Sequence, residues 1–62
     1  MDIKDAFRVL GIKSSATADD ANRARRLLVR INHPDQYAHD PPVQSKAQEQ
    51  LKQINLAYEM VI

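Results

Sequence analysis

The sequence predicts a small all-α domain: a short N-terminal helix laid against an antiparallel two-helix hairpin. Three observations carry that prediction. Apolar residues recur at helical spacing in three separate segments, as in Ala47, Leu51, Ile54, Tyr58 and Val61, which step by four, three, four and three. The single glycine and all three prolines fall between or at the edges of those segments. No stretch alternates apolar and polar residues as a half-buried strand would, and there is no internal repeat.

The first helix is expected over Ala6 to Leu10. Asp5 is its candidate cap, and Gly11 stands where a left-handed residue closes a helix. Phe7 and Leu10, three apart, share its apolar face. Lys13-Ser14-Ser15-Ala16 is a polar connector of ordinary length.

Thr17 opens the second helix, with Asp20 three residues on completing a capping-box pattern and Asp19 beside it at the positive end of the dipole. Ala21, Ala24, Leu28 and Ile31 form its apolar stripe, with Leu27 widening it. Arg23, Arg26 and Arg30 share the opposite face at helical spacing, and Arg25 falls among them. Pro34 disfavours helical geometry at His33, so this helix ends near Asn32. Residues 33 to 43 read as a loop, because Pro41-Pro42 blocks helix through that point. The third helix is expected from about Gln44 to the end, its seam suited to an antiparallel neighbour. Leu56 and Met60 lie off that seam, four apart, and suit either surface exposure or a cover from a further element.

Sixty-two residues make one domain of modest stability, since a chain this short buries only about 60% of its unfolded surface. Without cysteine there is no disulfide and no thiolate metal site, and nothing points to an oxidising compartment; the expected compartment is the cytoplasm. No apolar stretch is long enough to span a bilayer, so no membrane contact is expected of this segment. The net charge of +1 conceals a cluster: four of the nine basic residues, Arg23, Arg25, Arg26 and Arg30, lie within one short segment. Such a patch steers an acidic partner toward itself.

The chemistry-bearing residues argue for binding over catalysis. His33, Asp35, His39 and Asp40 match no zinc spacing, and no glycine-rich phosphate loop or catalytic triad is present. No metal, cofactor or enzymatic activity is therefore expected, and three short helices leave little interior for a pocket. His33-Pro34-Asp35 by itself reads as an ordinary turn.

In its setting the tripeptide means more. Asp5-Ala6-Phe7-Arg8-Val9-Leu10-Gly11-Ile12, the capped alanine-leucine helix, His33-Pro34-Asp35 and Ile54-Asn55-Leu56-Ala57-Tyr58-Glu59-Met60-Val61 follow one another in order and at workable spacing. Over about Asp5 to Val61 the chain resembles a J-domain of the DnaJ (heat-shock protein 40) co-chaperone family. That resemblance implies a monomeric, non-enzymatic activator that binds the nucleotide-binding domain and interdomain linker of a DnaK-type (heat-shock protein 70) chaperone and stimulates its ATP hydrolysis. It assigns the trigger to His33, Pro34 and Asp35 and the docking face to Arg26, with Arg23, Arg30 and Arg25 around it. Physical roles follow: Pro34 fixes the turn, Asp35 offers a carboxylate to an arginine, and His33 offers a directional hydrogen bond.

Several residues depart from the family pattern. Arg25 stands where a partner-facing tyrosine is usual, Asn32 replaces an aromatic residue, and Gln36 replaces a basic one. Asn22 and Leu27 occupy positions that are often basic. The family's short fourth helix is missing, and the apolar end at Met60-Val61-Ile62 reads as an excised or truncated N-terminal domain of a longer chain.

Two rival readings stand beside this one. A three-helix unit with arginines on its middle helix also suits a helix-turn-helix DNA binder, but the connection between the last two helices is long and proline-bearing. The third helix would have only Lys46 and Lys52 to offer phosphates, so no nucleic acid is expected as partner. A J-like scaffold domain that no longer stimulates a chaperone is the other rival, and the intact tripeptide argues against it.

Overall fold

The computed structural model describes all 62 residues. Three α-helices run in the order α1 (Ile3–Leu10), α2 (Ala18–Ile31) and α3 (Pro41–Val61), and a 3-10 turn, Pro34–Tyr37, lies between the last two. The expected all-α class and the three-helix arrangement are both present.

The first helix begins earlier than expected. Asp2, not Asp5, is its cap: the Asp2 carboxylate accepts the Asp5 amide at 2.9 Å. Both aspartates are competent caps, and the outer one wins because it adds a turn of backbone hydrogen bonds, beginning with Ala6 N–H to Asp2 C=O at 3.0 Å. Asp5 then lies in the first turn, where its charge complements the dipole, and sits 3.7 Å from Arg8. Gly11 closes the helix at φ 68°, in the left-handed region that favours glycine. Its amide reaches Arg8 C=O and the Ile12 amide reaches Phe7 C=O, the paired bonds of a Schellman ending.

The second helix starts as expected. The Thr17 amide donates to the Asp20 carboxylate and the Asp20 amide donates to the Thr17 hydroxyl, each at 3.1 Å. Aspartate is shorter than the usual glutamate at this position, yet it closes the box. The Thr17 amide and then the Thr17 hydroxyl favour the ionised form and hold the Asp20 carboxyl below its ordinary pKa; desolvation opposes them, and the nearby Arg23 charge adds the least. Asn32 ends α2, with both its backbone and side-chain amides directed at Leu28 C=O.

The stretch expected to be loop from 33 to 43 is more ordered than that. Pro34 opens the 3-10 turn, and α3 starts at Pro41. The two adjacent prolines do not block the helix because they occupy its first turn. Amides there have no helical partner to lose, and the fixed proline φ suits the geometry. Asp40 caps them, accepting from the Val43 amide at 3.4 Å.

Packing explains the rest. Leu10 and Ala6 of α1 meet Ile54 and Ala57 of α3 in a dry cluster, flanked by Ala24, Leu28 and Val29 of α2 and by Leu51, Tyr58 and Val61 of α3. Ala6 and Ala57 are fully buried where α1 meets α3. Helices α2 and α3 run antiparallel: Asn22 near the start of α2 bonds Tyr58 near the end of α3, and the turn at the far end meets Gln44. Two residues assigned to the α2 stripe fall outside it. Leu27 and Ile31 are about half exposed, while Val29, unassigned by spacing, packs on the core. Leu56 and Met60 are exposed as well. No helix is long and apolar enough to cross a membrane.

Candidate functional site

His33-Pro34-Asp35 sits at the free end of the α2–α3 hairpin, just past the Asn32 cap. Proline at the first position of the 3-10 turn fixes its φ there, and Gln36 N–H closes the turn on His33 C=O at 3.1 Å. His33 caps the turn through its ring: Nδ1 accepts from the Asp35 amide at 3.4 Å, and Asp35 Oδ2 lies 3.7 Å away. The two contacts use opposite ring states. A bare Nδ1 accepts the amide, whereas a protonated Nδ1 faces the carboxylate as an ion pair. The Asp35 side chain remains 89% exposed and that of His33 51% exposed, so both are presented to solvent with most of their polar capacity unused.

Residues just beyond the tripeptide hold it in place. Gln36 Nε2 donates to Arg30 C=O, and the Tyr37 hydroxyl donates to Ile31 C=O at 2.9 Å. These are carbonyls of the last turn of α2, which have no helical partner. From the other side, Gln44 of α3 donates to Pro34 C=O at 3.4 Å. The turn is thus tied to both helices it joins. The signal available in the sequence was a glutamine and a tyrosine placed just beyond a helix end, which is weak without coordinates.

Arg23, Arg26 and Arg30 stand together on the exposed side of α2 and, with Leu27, line one shallow groove. None has an ion-pair partner; the molecule's two charge pairs are Arg8 with Asp5 and His33 with Asp35. Arg25 is placed differently. Its guanidinium lies 4.7 Å over the Tyr58 ring, and its Nε is buried without a hydrogen-bond partner. The Tyr58 hydroxyl in turn donates to Asn22 Oδ1 at 2.6 Å. Asn22 and Arg25 therefore grip the end of α3 while the other three arginines face outward. No three His, Asp or Glu side chains come together as metal ligands would.

The DnaJ domain model matches residues 5–62, nearly the whole chain. The chain belongs to the DnaJ domain family. It is 43% identical over 60 residues to Chaperone protein DnaJ 1 of Aquifex aeolicus, a match covering 97% of this chain and 15% of that protein. With Co-chaperone protein DjlA of Vibrio cholerae it shares 37% identity over 62 residues, 95% of this chain and 22% of the relative. A Curved DNA-binding protein of Coxiella burnetii is 36% identical over 61 residues, 98% of this chain and 18% of the relative. The chain thus spans less than a quarter of the length of these relatives. No solved structure matches it. DnaJ domains are non-catalytic co-chaperone modules, in keeping with the expectation that this chain is not an enzyme.

Proposed function

We propose that this J-domain binds a DnaK-type heat-shock protein 70 and stimulates its ATP hydrolysis, with His33, Pro34 and Asp35 as the trigger and Arg26, Arg23 and Arg30 as the docking face. The observation that carries this reading is a geometric one: an exposed His-Asp pair, pinned to two helices, adjoins a face of three unpaired guanidiniums. Unpaired arginines keep their donors free for partner carboxylates, and an exposed aspartate can take a partner arginine in a two-point hydrogen bond. Arg25 supports the face from within, by holding α2 against α3. The domain acts as a monomer, since a second copy docked on this face would set arginines against arginines. It works in the cytoplasm, in keeping with a chain that has no cysteine.

Single-turnover ATP hydrolysis by a DnaK-type chaperone, with and without the domain, tests this. The wild-type domain raises the rate and His33→Gln removes the increase. A His33→Gln domain that stimulates as well as wild type would overturn the assignment. DNA binding is not assigned to this chain: α3 keeps only Lys46 and Lys52 as basic residues, and the connection before it is a proline-opened 3-10 turn tied to both helices.

A further inference from the structure

Leu27 and Ile31 are 55% and 51% exposed, one helical turn apart on α2, although Ala21, Ala24, Leu28 and Val29 pack at least partly inward. The fold leaves them outside. Leu27 lines the same shallow groove as Arg23, Arg26 and Arg30, and Ile31 extends the apolar surface toward the His33 turn. The docking face is thus a compound surface, with two aliphatic side chains running alongside three unpaired guanidiniums.

We propose that Leu27 and Ile31 are apolar anchors of this docking face, and that its occupant is a chaperone surface carrying an aliphatic patch rimmed by carboxylates. This rests on the chaperone reading above and adds the chemistry by which one partner is distinguished from another. Charge complementarity selects the occupant. Three arginines without an intramolecular partner demand acids opposite them, and the leucine and isoleucine beside them gain only from an apolar counterpart. A second copy of this chain fails the first requirement, because a two-fold contact through this face meets its own positive charge. A purely acidic surface fails the second, since it would leave two aliphatic side chains buried against carboxylates. A chaperone whose matching surface is acidic throughout is therefore a poor partner, and one with an aliphatic centre is a good one.

The test is binding of the domain to a DnaK-type chaperone in its ATP state across a salt series, using Leu27→Gln/Ile31→Gln and Arg26→Gln/Arg30→Gln. Glutamine keeps helix propensity and these positions are exposed, so equal melting temperatures serve as the folding control. The aliphatic double variant is expected to bind about tenfold more weakly at every salt concentration, with an unchanged salt slope and a less negative heat-capacity change. The arginine double variant is expected to flatten the slope. Wild-type affinity in the Leu27→Gln/Ile31→Gln domain, alongside normal wild-type stimulation of ATP hydrolysis, overturns this inference and leaves the chaperone reading standing. A wild-type domain that neither binds nor stimulates overturns both. Self-association of the wild type that the aliphatic variant abolishes assigns the face to a second copy and overturns the proposal.

Discussion

At the scale of single residues, the candidate site divides into side chains offered to solvent and side chains that hold them. His33 and Asp35 project to solvent, while Gln36 and Tyr37, next in sequence, turn back to the open carbonyls of α2. A turn held only by its own 3-10 bond would sample several orientations, because such short helices have poor hydrogen-bond geometry. The Tyr37 hydroxyl removes that freedom at little thermodynamic gain, since Ile31 C=O could otherwise bond to water. Tyr37→Phe is therefore expected to cost about 1 kcal/mol or less in global stability. It should nonetheless lower stimulation of chaperone ATP hydrolysis by about fivefold, the same free energy spent on orienting the trigger. Melting temperature and single-turnover rate measured on one preparation separate the two effects. A Tyr37→Phe domain that stimulates at the wild-type rate would show that the pin does not position the tripeptide.

At the scale of elements, each helix is bounded by a device whose chemistry is local, and that decided what could be read in advance. Thr17-Asp20 at the start of α2 is the clearest case. Thr17→Ala is expected to destabilise the domain by roughly 1 kcal/mol in denaturant unfolding at neutral pH, the usual worth of a cap. The box also titrates. Its bonds depress the Asp20 pKa in the folded state, so its contribution is complete above the unfolded value of about 3.9 and is lost as pH falls through the lower folded value. The stability gap between wild type and Asp20→Asn should thus be open at pH 7 and close on acidification below about pH 4. A gap that stays constant to low pH would mean that the carboxylate charge contributes nothing.

The same locality explains which boundaries were legible. Gly11 and Thr17 each have one competent role, and the structure gives them that role. Asp2 and Asp5 compete for one cap, and pattern alone does not rank two aspartates three residues apart. Pro41-Pro42 reads in the sequence as a barrier because proline inside a helix is one; in the first turn of a helix it is not. The exposure of Leu27 and Ile31 was illegible for another reason. A helical stripe states which residues share a side, but the width of that side covered by α1 and α3 is set by tertiary packing. The tripeptide stands out in the sequence only in the setting of its flanking helices, and its pins do not stand out at all, because Gln36 and Tyr37 gain their meaning only from the carbonyls they reach.

At the scale of the whole molecule, the core is too thin to fix the hairpin by burial alone. Only Ala6, Leu10, Ala21, Ala47, Ile54 and Ala57 are buried, four of them alanines, and alanine contributes little apolar area. Something must set the register of α2 on α3, and the Tyr58 clasp is placed to do so. Its hydroxyl bonds Asn22 at 2.6 Å in the first half of α2, and its ring lies under the guanidinium of Arg25, at the middle of α2, at 4.7 Å. At the opposite end the 3-10 turn ties the two helices together. Two separated attachments define the line along which α2 lies, and hence the direction in which Arg23, Arg26 and Arg30 point. A double-mutant cycle on Asn22→Ala and Tyr58→Phe is expected to give a coupling of about 0.5–1.5 kcal/mol, because each single change removes the same hydrogen bond. Arg25→Gln should be additive with Asn22→Ala to within about 0.5 kcal/mol, since it acts on the ring and not on the hydroxyl. If the Asn22–Tyr58 pair proves strictly additive in denaturant unfolding, the hydrogen bond between them does not couple α2 to α3. Register would then be set by the core packing and the 3-10 turn.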